Sequence, residues 1–265
     1  MSNHYTKEHY TNLSYKGLPI YSTLWVHEEV LDYILMNFRL DSKILVFWSG
    51  SWAFELRLID AGYKNIHSCD YSEWNFRLSV ANFTKIDFNS NFSKAFKGSK
   101  FELVVLIDVV EHTYSIHNLV LQIAKILDIW GDIIMATPNI HSDESIANSM
   151  IFWWPISHEW IPYKFEHFSI PSYWIIKSIS ESLWFFEMKC TSILKTNFNV
   201  FESTQITVLR RLSCSITKFV FWLSNKFQKI DWTEISKFIP IWKQKELRKW
   251  LYLLTHFRKW YDKEN

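Results

Sequence analysis

Residues 44–70 read ILVFWSGSWAFELRLIDAGYKNIHSCD. An apolar run, Ile44 to Phe47, feeds a loop of small residues, then a helical stretch, then a second strand that ends in an acid. That order is the opening strand–helix–strand unit of a nucleotide-binding sheet, whose first loop ordinarily carries several glycines. Only Gly50 stands here, with Trp48 and Trp52 at the alternate positions. Glycine serves such a loop by allowing φ > 0 and close approach of backbone to a ligand. The order of elements points to a bound nucleotide, whereas the two indoles point to an obstructed site.

Outward from this unit the chain keeps the rhythm of an α/β protein. His27–Phe38 has apolar residues at helical spacing, Lys43–Phe47 is strand one, and Ala53–Ala61 is its helix, closed by Gly62. Asn65–Cys69 is strand two, 72–83 reads as helix, and Lys85–Ile86 begins a short strand three. Glu102–Ile107 is a near-continuous apolar run, as expected of a strand buried on both faces of a parallel sheet. Ile116–Ile129 is helical and Asp132–Ala136 is strand five, stopped by Thr137-Pro138-Asn139. Residues 140–172 break the pattern with prolines, histidines and aromatics, and read as an excursion that binds or closes over a substrate. Ser172–Ser182 is then helical, and two late strands, 185–192 and 204–211, read as an antiparallel hairpin. The expected fold is a Rossmann-like, doubly wound, mostly parallel seven-stranded sheet with that hairpin at its edge.

Composition sets further bounds. The 265 residues suffice for one large domain with an appendage. The polar start leads us to expect no secretory leader, and no apolar run reaches the ~18–20 residues that span a bilayer. Three scattered cysteines fit a reduced, cytoplasmic setting. Residues 213–265 hold 11 Lys/Arg against 5 Asp/Glu, and the preceding residues 18 against 22. Glycine is scarce (5) and tryptophan abundant (15). Their sum is near what an ordinary domain carries in the two combined, which suggests that one stands in for the other.

Four blocks, in order and at the usual spacing, resemble class I S-adenosylmethionine-dependent methyltransferases over residues 25–212. ILVFWSGSWAFELRLIDAGY resembles the family's D-x-G-x-G-x-G loop with its helix. FELVVLIDVVEHT resembles the strand-four block. LDIWGDIIMATPN resembles the K-P-G-G segment and strand five, and FEHFSIPSYWIIKSISESLWFFEMKC a late helix closed by A-G-F. Trp48, Trp52, Trp130 and Trp184 stand at glycines of that pattern, Trp25 matches a glycine before the first helix, and Val46 replaces the loop acid. Drift would replace glycine by many residues, and here the replacement is repeatedly tryptophan. Some bacterial lineages read UGA as glycine and others as tryptophan. A gene of the first kind translated with the second code gives this pattern, and UGG codons at these positions would exclude it.

The resemblance implies S-adenosylmethionine as cofactor and assigns roles by position. Residues Trp48, Ser49, Gly50, Ser51 and Trp52 form the cofactor loop. Asp70 with Tyr71 follows strand two and would take the ribose hydroxyls. Asp87 with Phe88 would hold the adenine, and Asp108 lies beneath the cofactor. Glu111 and His112 are the candidate catalytic residues. In some relatives this acid-x-x-Glu-His run holds a divalent cation, and in others Glu braces the turn while His lines the acceptor pocket; no metal is expected here. His158 and His167 are candidate substrate contacts.

The reading is thus a methyltransferase acting on oxygen or nitrogen of a small molecule, glycan or lipid-linked precursor. Its alternative is a non-catalytic scaffold of the same fold, blocked by Trp48 and Trp52. Residues 1–24 are expected to be an irregular lead, 25–212 the methyltransferase domain, and 213–265 a basic, aromatic helical tail. That tail could lie on an anionic membrane or simply pack on the domain. Nucleic acid is not expected as a partner.

Overall fold

The computed structural model describes residues 14–23, 25–72, 82–142, 145, 149, 167, 171–195 and 250–259. It divides into two compact units: residues 1–137, 166–190 and 254–265 form one, and 138–165 with 191–253 the other. The first unit carries most of the sheet and every described site residue discussed below. Most of the second lies outside the described residues.

Two short strands, β1 (Ser14–Tyr15) and β2 (Leu18–Pro19), precede the domain as an antiparallel hairpin. Then follow α1 (Val26–Asn37), β3 (Ile44–Phe47), α2 (Ala53–Asp60), β4 (Ile66–Asp70), β5 (Asn82–Lys85) and β6 (Phe101–Ile107). After them come α3 (Ile116–Ile126), β7 (Leu127–Pro138), α4 (Tyr173–Ser182), β8 (Phe185–Lys195) and β9 (Trp250–Lys259). Seven strands form one sheet in the order β5-β4-β3-β6-β7-β9-β8. The pairs β3–β4, β3–β6, β4–β5 and β6–β7 are parallel, and an antiparallel hairpin ends the sheet.

The centre forms because its strands are apolar on both faces. All four residues of β3 are buried, as are Leu103 to Leu106 of β6 and Ile133 to Ala136 of β7. Helices cover the faces. Glu28 of α1 pairs with Arg57 of α2 at 2.6 Å, and α3 and α4 start at Ser115 and Ser172, whose hydroxyls accept from Asn118 N and Ile175 N. Chain order reverses at β3, which lies between β4 on one side and β6 on the other. In open α/β sheets that switch point, at the carboxyl ends of the strands, is where ligands bind.

Three sequence expectations change. The seventh strand is β9, whereas a helical tail was expected over 213–265. Residues 254–257 are buried in succession, so this inner strand lacks the alternation that marks an exposed one. Its cations are used internally. Arg258 makes a fork to Asp132 (Nε–Oδ1 2.8 Å, Nη2–Oδ2 3.0 Å), and Lys259 donates to Ala124 O at 2.8 Å near the end of α3. The segment 204–211, expected to be that strand, lies outside the described residues. The third strand of the first half is β5, 82–85, rather than one beginning at 85; as an edge strand with sequence NFTK it offers little apolar signal. The lead is not irregular throughout, because residues 14–19 form the hairpin.

The backbone carries a second pattern. Trp25, Trp48, Trp52, Trp130 and Trp184 have φ of 74°, 55°, 72°, 67° and 66°. Trp174 lies inside α4 and Trp250 in β9. Left-handed backbone is an outlier for a bulky residue and costs roughly 1–2 kcal/mol each. Five such residues cost on the order of 5–10 kcal/mol, comparable with the ~5–15 kcal/mol by which a whole domain is stable.

Candidate cofactor site

The site is assembled from four strand ends. After β3 the chain turns through residues 48–52 into α2. Ser49 N donates to Cys69 O at 3.3 Å and Trp52 N to Ser49 O at 2.7 Å. Gly50 N donates to Asp70 Oδ2 at 2.9 Å, and Ser72 N to Oδ1 of the same carboxylate at 3.1 Å. Asp70, at the end of β4, thereby fixes the loop. Each of its oxygens has a lone pair left for a further donor.

Beneath the loop Glu55 is fully buried and accepts from Ser68 Oγ at 3.0 Å. Burial pushes its carboxyl up to about 7. Burial, followed by the charges of Asp70 and Glu55, also holds the Cys69 thiol well above its ordinary value.

After β5, Asp87 is exposed and Phe88 buried. Asp87 Oδ1 accepts from Asn89 N at 2.9 Å. Asn89 Oδ1 in turn accepts from Tyr114 N at 2.8 Å and ties this turn to the one after β6. That latter turn carries Asp108, at φ 51°, and a 3-10 turn over Val110–His112. Glu111 is fully buried and accepts from Thr137 Oγ1 at 3.1 Å. Burial, and then the neighbouring Asp108 charge, raises its carboxyl well above the usual range. Its bond to Thr137 links the turn to β7.

Aromatic rings join the parts. The Trp48 indole lies 5.7 Å from the Phe88 ring and 4.4 Å from His112, centroid to centroid. His112 meets His167 edge-on at 4.5 Å. Ligand atoms of Glu111, His112 and His167 lie within 4.8 Å of one another, a set that could hold a metal ion. Trp52 is buried, 5.7 Å from the Phe83 ring.

Of the residues expected from sequence, the loop 48–52, Asp70, Phe88, Glu111, His112 and His167 are thus brought together. Asp87 and Asp108 stand on the neighbouring turns. Tyr71 is exposed, and His158 lies outside the described residues. Sequence reading missed the contribution of the lead. Ser51 Oγ donates to Pro19 O, and a Cβ at Gly50 would stand 3.2 Å from Tyr21 Cδ2. No local motif marks Pro19 or Tyr21. Glu55 was legible only as one more polar helix residue. A cleft of 310 Å³ at the other end of the strands, lined by Arg39, Glu102, Asp128, Trp130 and Arg258 among others, contains none of the expected residues.

No family model and no curated protein matches the sequence. Solved structures do match. An S-adenosylmethionine-dependent methyltransferase from Archaeoglobus fulgidus aligns at TM-score 0.57 and 17% identity, over 88% of this chain and 93% of its own. A chain of the complex between the Haloferax volcanii Trm112 methyltransferase activator and a methyltransferase aligns at 0.56 and 15%, over 90% and 92%. The cyclase SpnF aligns at 0.53 and 10%, over 90% and 82%. These likenesses define a Rossmann-like methyltransferase fold. The presence of a cyclase among them is a reminder that fold alone does not fix a reaction.

Tested against S-adenosylmethionine, the site divides. The donor set fits: a carboxylate at the end of β4, an acid beside a buried phenyl ring after β5, and loop amides at the start of α2. The space does not, because the Trp48 indole bridges the gap between Phe88 and His112.

Proposed function

We propose that this protein is an S-adenosylmethionine-dependent methyltransferase acting on an oxygen or nitrogen of a small molecule, glycan or lipid-linked precursor. The observation that carries the reading is the bond from Gly50 N to Asp70 Oδ2 at 2.9 Å. It joins the glycine-type loop to an acid at the end of the next strand, at the point where the sheet reverses. Within this reading the loop and Asp70 hold the ribose side, and Asp87 with Phe88 the adenine. His112 and His167 face the acceptor, with Glu111 bracing the turn. Among the described residues no helix is long and apolar enough to cross a membrane. A cytoplasmic location belongs to this proposal.

The Trp48 contacts favour one rival, a non-catalytic scaffold whose cofactor space is filled. Titration calorimetry with S-adenosylmethionine separates the two. The tryptophan-bearing chain should bind weakly, and the Trp48→Gly, Trp52→Gly double variant at least tenfold more tightly. Equal affinity would refute the steric argument: tight binding by both overturns the blocked scaffold, and weak binding by both overturns the cofactor assignment.

A further inference from the structure

We infer that positions 25, 48, 52, 130 and 184 are glycine in the protein as its host makes it, the codons there being UGA read as glycine. The inference rests on the proposed function for the meaning of positions 48 and 52, but its backbone argument is independent of any activity.

Two separate observations meet at these five positions. One is the sequence pattern, in which tryptophan replaces glycine at motif positions while the chain is poor in glycine and rich in tryptophan. The other is the backbone, which is left-handed at all five. Eight described non-glycine residues have positive φ, and five of them are tryptophan, whereas the real glycines 17, 50, 62 and 98 share the same region. Three of the sites have a local reason to want glycine. Trp25 and Trp52 begin α1 and α2 without a side-chain cap bond. Trp184 follows the C-cap Leu183 of α4, and its N–H bonds back to Glu181 O at 3.2 Å. That is the C′ position where glycine is the ordinary residue.

Burial is incomplete at four of the five. Trp25 is 59% exposed, Trp130 56%, Trp184 43% and Trp48 38%. An indole selected for its bulk would be buried, as Trp52 alone is among the five. Trp174, inside α4, falls outside the assignment.

The consequence reaches the site. Without the Trp48 indole, the space between Phe88 and His112 opens, and the donor set and the space agree. The disagreement between a fitting donor set and an occupied cavity then disappears at a single residue.

The experiment is peptide mass spectrometry on the protein purified from its host. Trypsin cuts after Lys43 and Arg57, so one peptide, 44–57, reports both Trp48 and Trp52. Peptides 17–39 and 178–189 report Trp25 and Trp184. Each glycine lowers the mass by the difference between an indolylmethyl group and a hydrogen. Glycine at all these positions is the expected result; tryptophan in the natural peptides, or UGG in the gene, overturns the inference. A second arm compares the tryptophan-bearing chain with two versions, one carrying glycine at the exposed positions 25, 130 and 184 and one carrying all five. The three-glycine version should melt at higher temperature, and the five-glycine version should bind S-adenosylhomocysteine at least tenfold more tightly. No gain in melting temperature by the three-glycine version counts against the inference. A gain there with no tighter binding by the five-glycine version counts against the proposed function alone.

Discussion

The imidazole of His112 is held edge-on between two rings, Trp48 at 4.4 Å and His167 at 4.5 Å. One of these partners is the side chain that fills the candidate cofactor space. Affinity and stability should therefore respond differently to substitution at position 48. Trp48→Gly relieves roughly 1–2 kcal/mol of backbone strain and gives up ring contacts worth about 0.5–1.5 kcal/mol each. Its melting temperature should change little, while binding of S-adenosylhomocysteine rises at least tenfold, or about 1.4 kcal/mol. Trp48→Phe keeps a ring in the gap and the strained φ, and should gain nothing. Calorimetry on both variants checks this.

Asp70 fixes the loop through two backbone amides, at 2.9 and 3.1 Å. Asp70→Ala leaves them without that acceptor, at about 1–3 kcal/mol each where water cannot reach. Urea denaturation should show a loss of about 2 kcal/mol or more. Asp70→Asn keeps an acceptor and should fold nearly as well, yet in the five-glycine chain it should bind the adenosyl ligand at least tenfold more weakly.

The buried carboxyl of Glu55 is raised from 4.5 to about 7 by burial, whereas buried His27 is lowered from 6.5 to about 3. The raised acid binds its proton more tightly in the folded state. Its contribution is complete below pH 4.5 and is lost as pH rises through 7. The lowered histidine behaves oppositely, complete above pH 6.5 and lost as pH falls toward 3. Stability should therefore peak between these limits, near pH 5–7. Glu55→Gln should remove that residue's own contribution, about 3 kcal/mol between pH 4.5 and 8, and leave stability rising with pH up to about 6.5. Denaturant titrations at pH 5, 6.5 and 8 measure both limbs.

Asp132 is buried with His256 Nε2 at 2.8 Å on one oxygen and the Arg258 fork across both. Tyr33 OH meets the other nitrogen of His256 at 2.9 Å. Asp132→Ala strands a cation and an imidazole at the seam between β7 and β9, a loss of roughly 3–5 kcal/mol. If equilibrium unfolding shows less than about 1 kcal/mol, this network does not hold the last strand in place.

Much of the first half of the fold was readable because its signals are local. Ile44–Phe47 is apolar throughout, the loop and helix follow at once, and Asp70 ends the next strand. The carboxyl edge of a parallel sheet gathers such strand ends whatever the side chains between them, so Asp70, Phe88 and His112 fall at one edge. β9 was hidden for the opposite reason. WLYLLTHFRK mixes apolar residues with a threonine, a histidine and two cations, and its place depends on Asp132 and Ala124, more than a hundred residues earlier. Nothing near it in sequence announces those partners, so its basic residues looked like a solvated or membrane-facing surface. Tyr21 stayed invisible likewise, because its proximity to Gly50 is purely tertiary.

The interior position of β9 has a consequence for synthesis. Its slot lies between β7 and β8, and residues 196–249 are made after β8 and before it. Until 250–259 leave the ribosome, both neighbours present unpaired edges, the kind of surface that recruits other chains. Closure must wait on a distant segment, which makes folding slow as well as late. In a host that treats UGA as a stop, the inferred codon at position 25 would end the chain before any part of the central sheet exists. The strand that completes the sheet would then also serve as proof that every earlier codon was read through.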